Sequence, residues 1–216
     1  MSVTIQNIAP TEIEAESFRI IAEEIGDHDF DPATFKVVRR VIHATGDFNF
    51  AENLRFQSQA LSRAMEVIKA GKNILTDVNM VAAGISKGML ASFGGSVSCL
   101  VADEEVAGIA KESARTRSEV AIEKGIEAGI GIIAIGNAPT ALLKTMELLA
   151  DMTPEARPLV IGVPVGFVNA AESKALLAEK EYPFITSLGR KGGSPVAAAI
   201  CNALIRLAKE AHGRNG

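Results

Sequence analysis

The sequence predicts an α/β fold: a doubly wound, mostly parallel sheet of about five strands between two layers of helices (α/β/α), in a single domain spanning residues 1–216. Three observations carry this expectation. Short apolar runs alternate along the chain with stretches of helical period. The apolar runs show no polar alternation, which implies that both faces of each strand are covered. The composition is 48% apolar, with no Trp and one Tyr, and is rich in Ala, Gly, Ile and Val, which suits close packing of helices on a sheet.

Two helices are expected in the first 70 residues, ahead of the helix that precedes the first clear strand. One is "DPATFKVVRRVIHATG", residues 31–46. Asp31 can cap it, Pro32 suits its first turn, and Gly46 follows its end. Phe35, Val38, Val41 and Ile42 would form its buried face. A helix over 58–71 leads to a strand at "NILTDV", 73–78. Further strands follow at "SVSCLVAD", 96–103; "IGIIAIGN", 130–137; "PLVIGVPV", 158–165; and "PFITSL", 183–188. Helices over 104–114, 138–151 and 169–181 connect them, and a long helix over 194–213 closes the chain. No repeat, low-complexity segment or linker interrupts the pattern.

Composition narrows the function. The net charge is −4 with both signs scattered, so no basic stripe offers itself to nucleic acid. The amino terminus, "MSVTIQNIAPTEIEAESF", lacks a signal-peptide layout, and no apolar run reaches membrane-spanning length, so a cytoplasmic protein with no membrane partner is expected. Cys99 and Cys201 lie far apart and read as free buried thiols. The three histidines, His28, His43 and His212, are too dispersed for a polyhistidine metal site, so no metal is expected. There is no Walker A sequence and no nucleophile elbow. "GIGIIA", 129–134, matches a dinucleotide fingerprint by letters only, because its glycines precede or enter the strand instead of following it.

In an open parallel sheet, ligands bind beyond the carboxyl ends of the strands. The loops there read "TDVNMVAAG", "ADEEVAG", "IGNAPTAL", "GVPVGFVNAAESK" and "LGRKGGSPVAA". Several expose backbone N–H groups at helix starts, which favour anionic oxygens. Each is also an economical strand-to-helix turn. "GRKGGSP" adds Arg190, Lys191 and a capping Ser194, and "ARTRS" adds Arg115 and Arg117, with Ser118 able to cap a helix. By residue type His43 is the best acid–base candidate. Two readings of it stand open, because a histidine at a helix end also serves the last carbonyls and the helix dipole. Arg39 and Arg40 would disfavour its charged form, and Asp47 would favour it.

The blocks "VVRRVIHATGDFNFAENLRF", "DVNMVAAGI", "TRS", "AIGNAPTAL", "VIGVPVGFVNAAESK" and "GRKGGSPVAAAICNAL", in this order from Ser17 to Leu204, resemble the precorrin-8X (cobalt-precorrin-8) methylmutases of cobalamin biosynthesis. The resemblance implies an isomerase that moves a methyl group within a corrin precursor from carbon 11 to carbon 12. The product would be hydrogenobyrinate, or cobyrinate where cobalt is already present. It implies no S-adenosylmethionine or other cofactor, a homodimer with its active site near the interface, a proton-donating His43 and a substrate contact at Ser17. For a multiply carboxylated corrin, Arg40, Arg117 and Lys191 are then the candidate carboxylate partners, with Thr45, Gly46, Asn137 and Ser194 as polar neighbours. "NMVAAG", "IGNAPTA" and "GVPVGF" would supply apolar walls. The chain reads "SARTRS" where the family often has Thr-Thr-Arg-Ser, which makes Arg115 the poorer candidate of the two arginines. A non-catalytic tetrapyrrole carrier and a donor-dependent methyltransferase are the competing functions.

Overall fold

The Asp31 carboxylate accepts the N–H groups of Ala33 and Thr34 at 2.9 and 3.1 Å, and Gly46 closes the same helix in the left-handed region at φ 65°. The sequence's start and stop signals for this helix therefore act as physical caps. The structure, a computed structural model, describes residues 7–126 and 129–213; residues 1–6, read above for a targeting layout, lie outside it.

The elements run α1 (Ile13–Ile25), α2 (Pro32–Thr45), α3 (Asn49–Asn53), β1 (Leu54–Phe56), α4 (Ala60–Lys69), β2 (Asn73–Thr76), α5 (Asn79–Gly84), α6 (Lys87–Ala91), β3 (Val97–Ser98), α7 (Glu104–Glu112) and α8 (Arg117–Gly125). They continue with β4 (Ile130–Ile135), α9 (Pro139–Ala150), a 3-10 turn (Pro154–Ala156), β5 (Leu159–Gly162), α10 (Ala170–Ala178), β6 (Phe184–Ser187) and α11 (Ser194–Gly213). The sheet order is β1-β6-β5-β4-β2-β3, parallel throughout except for β1, which pairs antiparallel with β6.

Successive strand residues point to opposite layers. Ile74, Ile132, Ala134, Ile161 and Ile185 join the core beneath α2, α4, α5 and α11. Their neighbours Leu75, Ile133, Ile135, Val160 and Phe184 join Ile122 of α8, Leu142 and Leu149 of α9 and Leu177 of α10. Both faces are apolar because both are covered, which is the three-layer arrangement expected from the unbroken apolar runs.

Four expectations need correction. A sixth strand, β1, adds an antiparallel edge. The run at 96–103 yields only the two-residue β3, because Leu100 and Val101 pack instead with Val106, Ala110 and Val120 of α7 and α8. The buried face of α2 is Val37, Val38, Val41 and Ile42; Phe35 sits at the helix edge, its ring centroid 4.1 Å from that of His28. Thr116, not Ser118, caps α8 by accepting the N–H of Glu119, while Ser118 is buried within the first turn.

The chain leaves β2 toward β3 on one side and later returns to lay β4 on the other, so the topological switch lies between β2 and β4. Asp77 sits there, fully buried. Its carboxylate accepts the N–H groups of Gly136, Asn137 and Ala138 at 3.0, 2.8 and 2.8 Å. Burial pushes this carboxyl above its ordinary range, against the pull of the three N–H donors. Replacing Asp77 with alanine strands those donors, and we expect a loss of about 3 kcal/mol in urea unfolding with an unchanged m-value.

At the carboxyl end of β5, Gly193 N–H donates to the Val163 carbonyl at 2.8 Å. A Cβ on Gly192 would meet that same carbonyl oxygen at 2.2 Å, with φ at +159°, whereas one on Gly46 would meet nothing within 4 Å. Gly46→Ala should therefore cost about 1 kcal/mol, the left-handed penalty alone. Gly192→Ala should cost about 3 kcal/mol because backbone must also move. Denaturant midpoints of the two variants, measured side by side, test this ranking.

Candidate active site

His43 lies in the last turn of α2, exposed, and two carbonyls near that helix end already have other donors. Thr45 Oγ1 donates to the Val41 carbonyl at 2.8 Å, and Gly46 N–H donates to that of Ile42 at 2.7 Å. The imidazole instead turns to α1. Its Nδ1 is 2.7 Å from Ser17 Oγ, and the Phe18 ring meets it edge to face at 5.2 Å. Nε2 has no hydrogen-bond partner among the described residues. The ring is thus held by one nitrogen and one aromatic edge while its other nitrogen stays available.

What seats α1 on α2 is an ion pair. Arg40 donates to both oxygens of Glu14 at 2.6 and 3.1 Å, and Arg206 of α11 comes within 3.7 Å of the same carboxylate. The hydrogen bond from Arg40 holds the Glu14 carboxyl below its usual range. The guanidinium carbons of Arg39 and Arg40 sit 4.3 and 4.6 Å from the Phe18 ring centre, two cation–π contacts within the α1–α2 seam. Arg40, proposed from sequence as a substrate anchor, is 13% exposed and already paired. In this structure it fixes the helix that carries Ser17.

The turn after α2 meets the carboxyl edge of the sheet through Lys191. Its Nζ donates to Asp47 Oδ2 at 2.6 Å and to Asn49 Oδ1 at 2.5 Å. This contact holds the Asp47 carboxyl below its ordinary range. The "GRKGG" loop is itself held by Gly193 on Val163 and by Gly166 N–H on the Arg190 carbonyl at 3.2 Å. Ser194, buried, opens α11, and a Cβ on Gly136 would lie 2.9 Å from its Cα, so the Asn137 loop abuts the start of that helix. Ser17, His43, Thr45, Gly46, Lys191, Ser194 and Asn137 therefore form one continuous rim.

Arg117 stands farther along this edge, exposed at the first turn of α8. Its guanidinium has no hydrogen-bond partner among the described residues, and the helix start is tied to α9 by Thr116 and Thr140 hydroxyls 2.8 Å apart. Arg115 is paired with Glu123 at 2.5 Å. Beside the rim, Met80, Val165, Phe167 and Val168 project apolar side chains into solvent, with Phe167 83% and Val168 77% exposed. Arg190 lies over the Phe167 ring at 5.3 Å. Met80 comes from the "NMVAAG" stretch and Val165 and Phe167 from "GVPVGF", whereas "IGNAPTA" contributes no exposed large apolar side chain. A cleft of about 500 Å³ lined by Arg63, Arg157 and Tyr182 opens at the opposite, amino edge of the sheet.

Sequence reasoning missed Glu14, Phe18, Asp77 and Lys174. Glu14 and Phe18 act across a gap of more than twenty residues with no local signature. Asp77 and Lys174 read as loop and helix-surface residues, and only the fold buries them. The rim sets an imidazole held by a hydroxyl beside two cations and exposed apolar side chains. No described helix is long and apolar enough to cross a membrane.

Known proteins share this sequence and fold. A family model described as precorrin-8X methylmutase matches residues 12–207. The chain is 44% identical over 203 residues to the cobalt-precorrin-8 methylmutase of Priestia megaterium, covering 93% of this chain and 89% of that one. It is 41% identical over 209 residues to the cobalt-precorrin-8 methylmutase of Salmonella typhimurium, covering 94% and 97%. The crystal structure of the Thermus thermophilus precorrin-8X methylmutase superposes with a TM-score of 0.84 at 43% identity, covering 93% of this chain and 97% of that one. With nearly the whole chain matched in both sequence and fold, this protein belongs to the precorrin-8X methylmutase family.

Proposed function

We propose that the protein catalyses the methyl shift that the family name describes, on precorrin-8X or its cobalt-containing counterpart. In this isomerisation the bond from the migrating methyl to carbon 11 breaks and a bond to carbon 12 forms. Substrate and product have the same composition, so a proton lent to the macrocycle must be recovered. No methyl donor is needed, since the methyl group is already on the substrate.

The observation that carries this reading is the Ser17–His43 contact of 2.7 Å at the exposed end of α2. In the imidazolium form, Nδ1–H donates to the Ser17 hydroxyl and Nε2–H faces outward. Giving up the Nε2 proton leaves a neutral ring whose Nδ1–H still holds Ser17, so orientation survives the transfer. The proton polarises the conjugated ring while the methyl migrates and then returns to Nε2. Lys191, Arg117 and the side chains of Asn137 and Ser194 receive the acetate and propionate arms. Val165, Phe167, Val168 and Met80 supply contact for the macrocycle. We also infer a cytoplasmic homodimer with this rim near the subunit interface.

Anaerobic incubation with purified precorrin-8X tests the reading, because methyl migration changes the conjugation and hence the visible spectrum. His43→Ala should bind the corrin product and leave the substrate spectrum unchanged; conversion at the parent rate would overturn the role of His43. Ser17→Ala should retain binding and lose about tenfold to hundredfold in kcat, as expected for a misoriented ring. Arg117→Gln should weaken product binding about tenfold, roughly 1.4 kcal/mol, with kcat little changed. A protein that binds corrin tightly and never converts it would be the non-catalytic carrier.

A further inference from the structure

Lys174 is among the largest side chains that the protein buries completely. A lysine without access to water is rare, and a leucine or methionine fills comparable volume without the desolvation cost. Burial pushes the Lys174 ammonium down from 10.5 to about 8. What the lysine provides and an apolar residue cannot is a directed donor. Its Nζ lies 2.6 Å from the Lys191 carbonyl oxygen, and Ser187 Oγ donates to the same oxygen at 3.1 Å. One loop carbonyl is thus gripped from two elements, α10 and β6.

The side chain of the gripped residue continues outward. Lys191 Nζ bonds Asp47 and Asn49, and Asp47 Oδ1 in turn accepts the Asn49 N–H at 3.0 Å. These residues form the turn directly after Gly46, where the helix bearing His43 ends. A covalent and hydrogen-bonded path therefore runs from the interior of α10, through the main chain and then the side chain of Lys191, to the base of the His43 turn.

We propose that Lys174 is a positioning residue for His43: by fixing the Lys191 carbonyl it sets where the Lys191 ammonium clamps the 46–49 turn beneath the imidazole. The proposal rests on the reading of His43 as the proton donor. It assigns a role to the end of the "VIGVPVGFVNAAESK" block that the rim itself leaves unused, since Lys174 touches no surface a substrate reaches.

The test is a double-mutant cycle on the full-length protein, reading kcat with precorrin-8X, product Kd and thermal unfolding. Lys174→Met keeps the volume and removes the donor. It should fold, bind product within about threefold of the parent, and lose about tenfold in kcat, the size expected of a small misplacement. Lys191→Met should show a similar loss in kcat together with weaker product binding, since it also removes a carboxylate partner, and the double variant should have a kcat no lower than the slower single, because both act along one path. Parental kcat in folded Lys174→Met, or multiplicative losses in the double variant, would overturn the proposal. If Lys174→Met does not fold, Ser187→Ala takes its place, with about a threefold kcat loss expected that disappears in the Lys191→Met background; its persistence there would overturn the proposal. Failure of the underlying reading is seen separately, as conversion by His43→Ala.

Discussion

One buried carboxylate governs the working edge of this protein. Asp77 ends the second strand at the place where the sheet reverses its winding, and it takes three consecutive backbone N–H groups from the loop after β4. Two parallel strands whose following loops depart to opposite sides of the sheet would otherwise open a crevice between them. The carboxylate closes its floor, sets the direction in which α9 departs, and brings the Gly136 backbone against the first residue of α11. Because α11 packs along α2 more extensively than along any other helix, that placement passes on to the helix carrying His43.

The site assembled on this floor divides its labour. Cations and N–H donors come from loops whose shapes are fixed by main-chain contacts: Gly193 on Val163, Gly166 on Arg190, and Lys174 and Ser187 on Lys191. The proposed proton donor, His43, comes from outside the sheet layer, on the last turn of α2. Its orientation is set by α1, an element that contributes little to the core. On the proposed reading, holding a multiply charged ligand and handling a proton fall to separate elements, which the Lys191–Asp47 contact joins.

Much of this could be read from residues in order. The strands announced themselves as uninterrupted apolar runs. Asp31, Pro32 and Gly46 bounded α2 by local chemistry alone, and that was enough to put His43 in its last turn. What could not be read depends on partners distant in the chain. β1 is three residues long and exists only because Leu54–Phe56 pair with Ser187–Ile185. The run from Ser96 looked like a strand because burial and strand both demand apolar residues; Leu100 and Val101 are buried by helices instead. Arg40 looked free because Glu14 lies twenty-six positions away. The Ser17–His43 pair spans the same distance, and only the family resemblance brought Ser17 into view. Thr116 and Ser118 are equivalent caps on paper, and the backbone chose Thr116, whose extended φ and ψ the cap position requires.

The seat of α1 has a thermal consequence. That helix has only Ile21 in its buried set, and it is attached through the Glu14–Arg40 ion pair and the Phe18 ring lying against two arginines and the imidazole. Contacts of this kind give way at lower free energies than a three-layer apolar core. Lifting α1 takes Ser17 from His43 and leaves the sheet and its loops in place. If Ser17 orients His43 as proposed, gradual warming should silence the protein while it is still folded, and cooling should restore it by redocking one helix instead of refolding a domain.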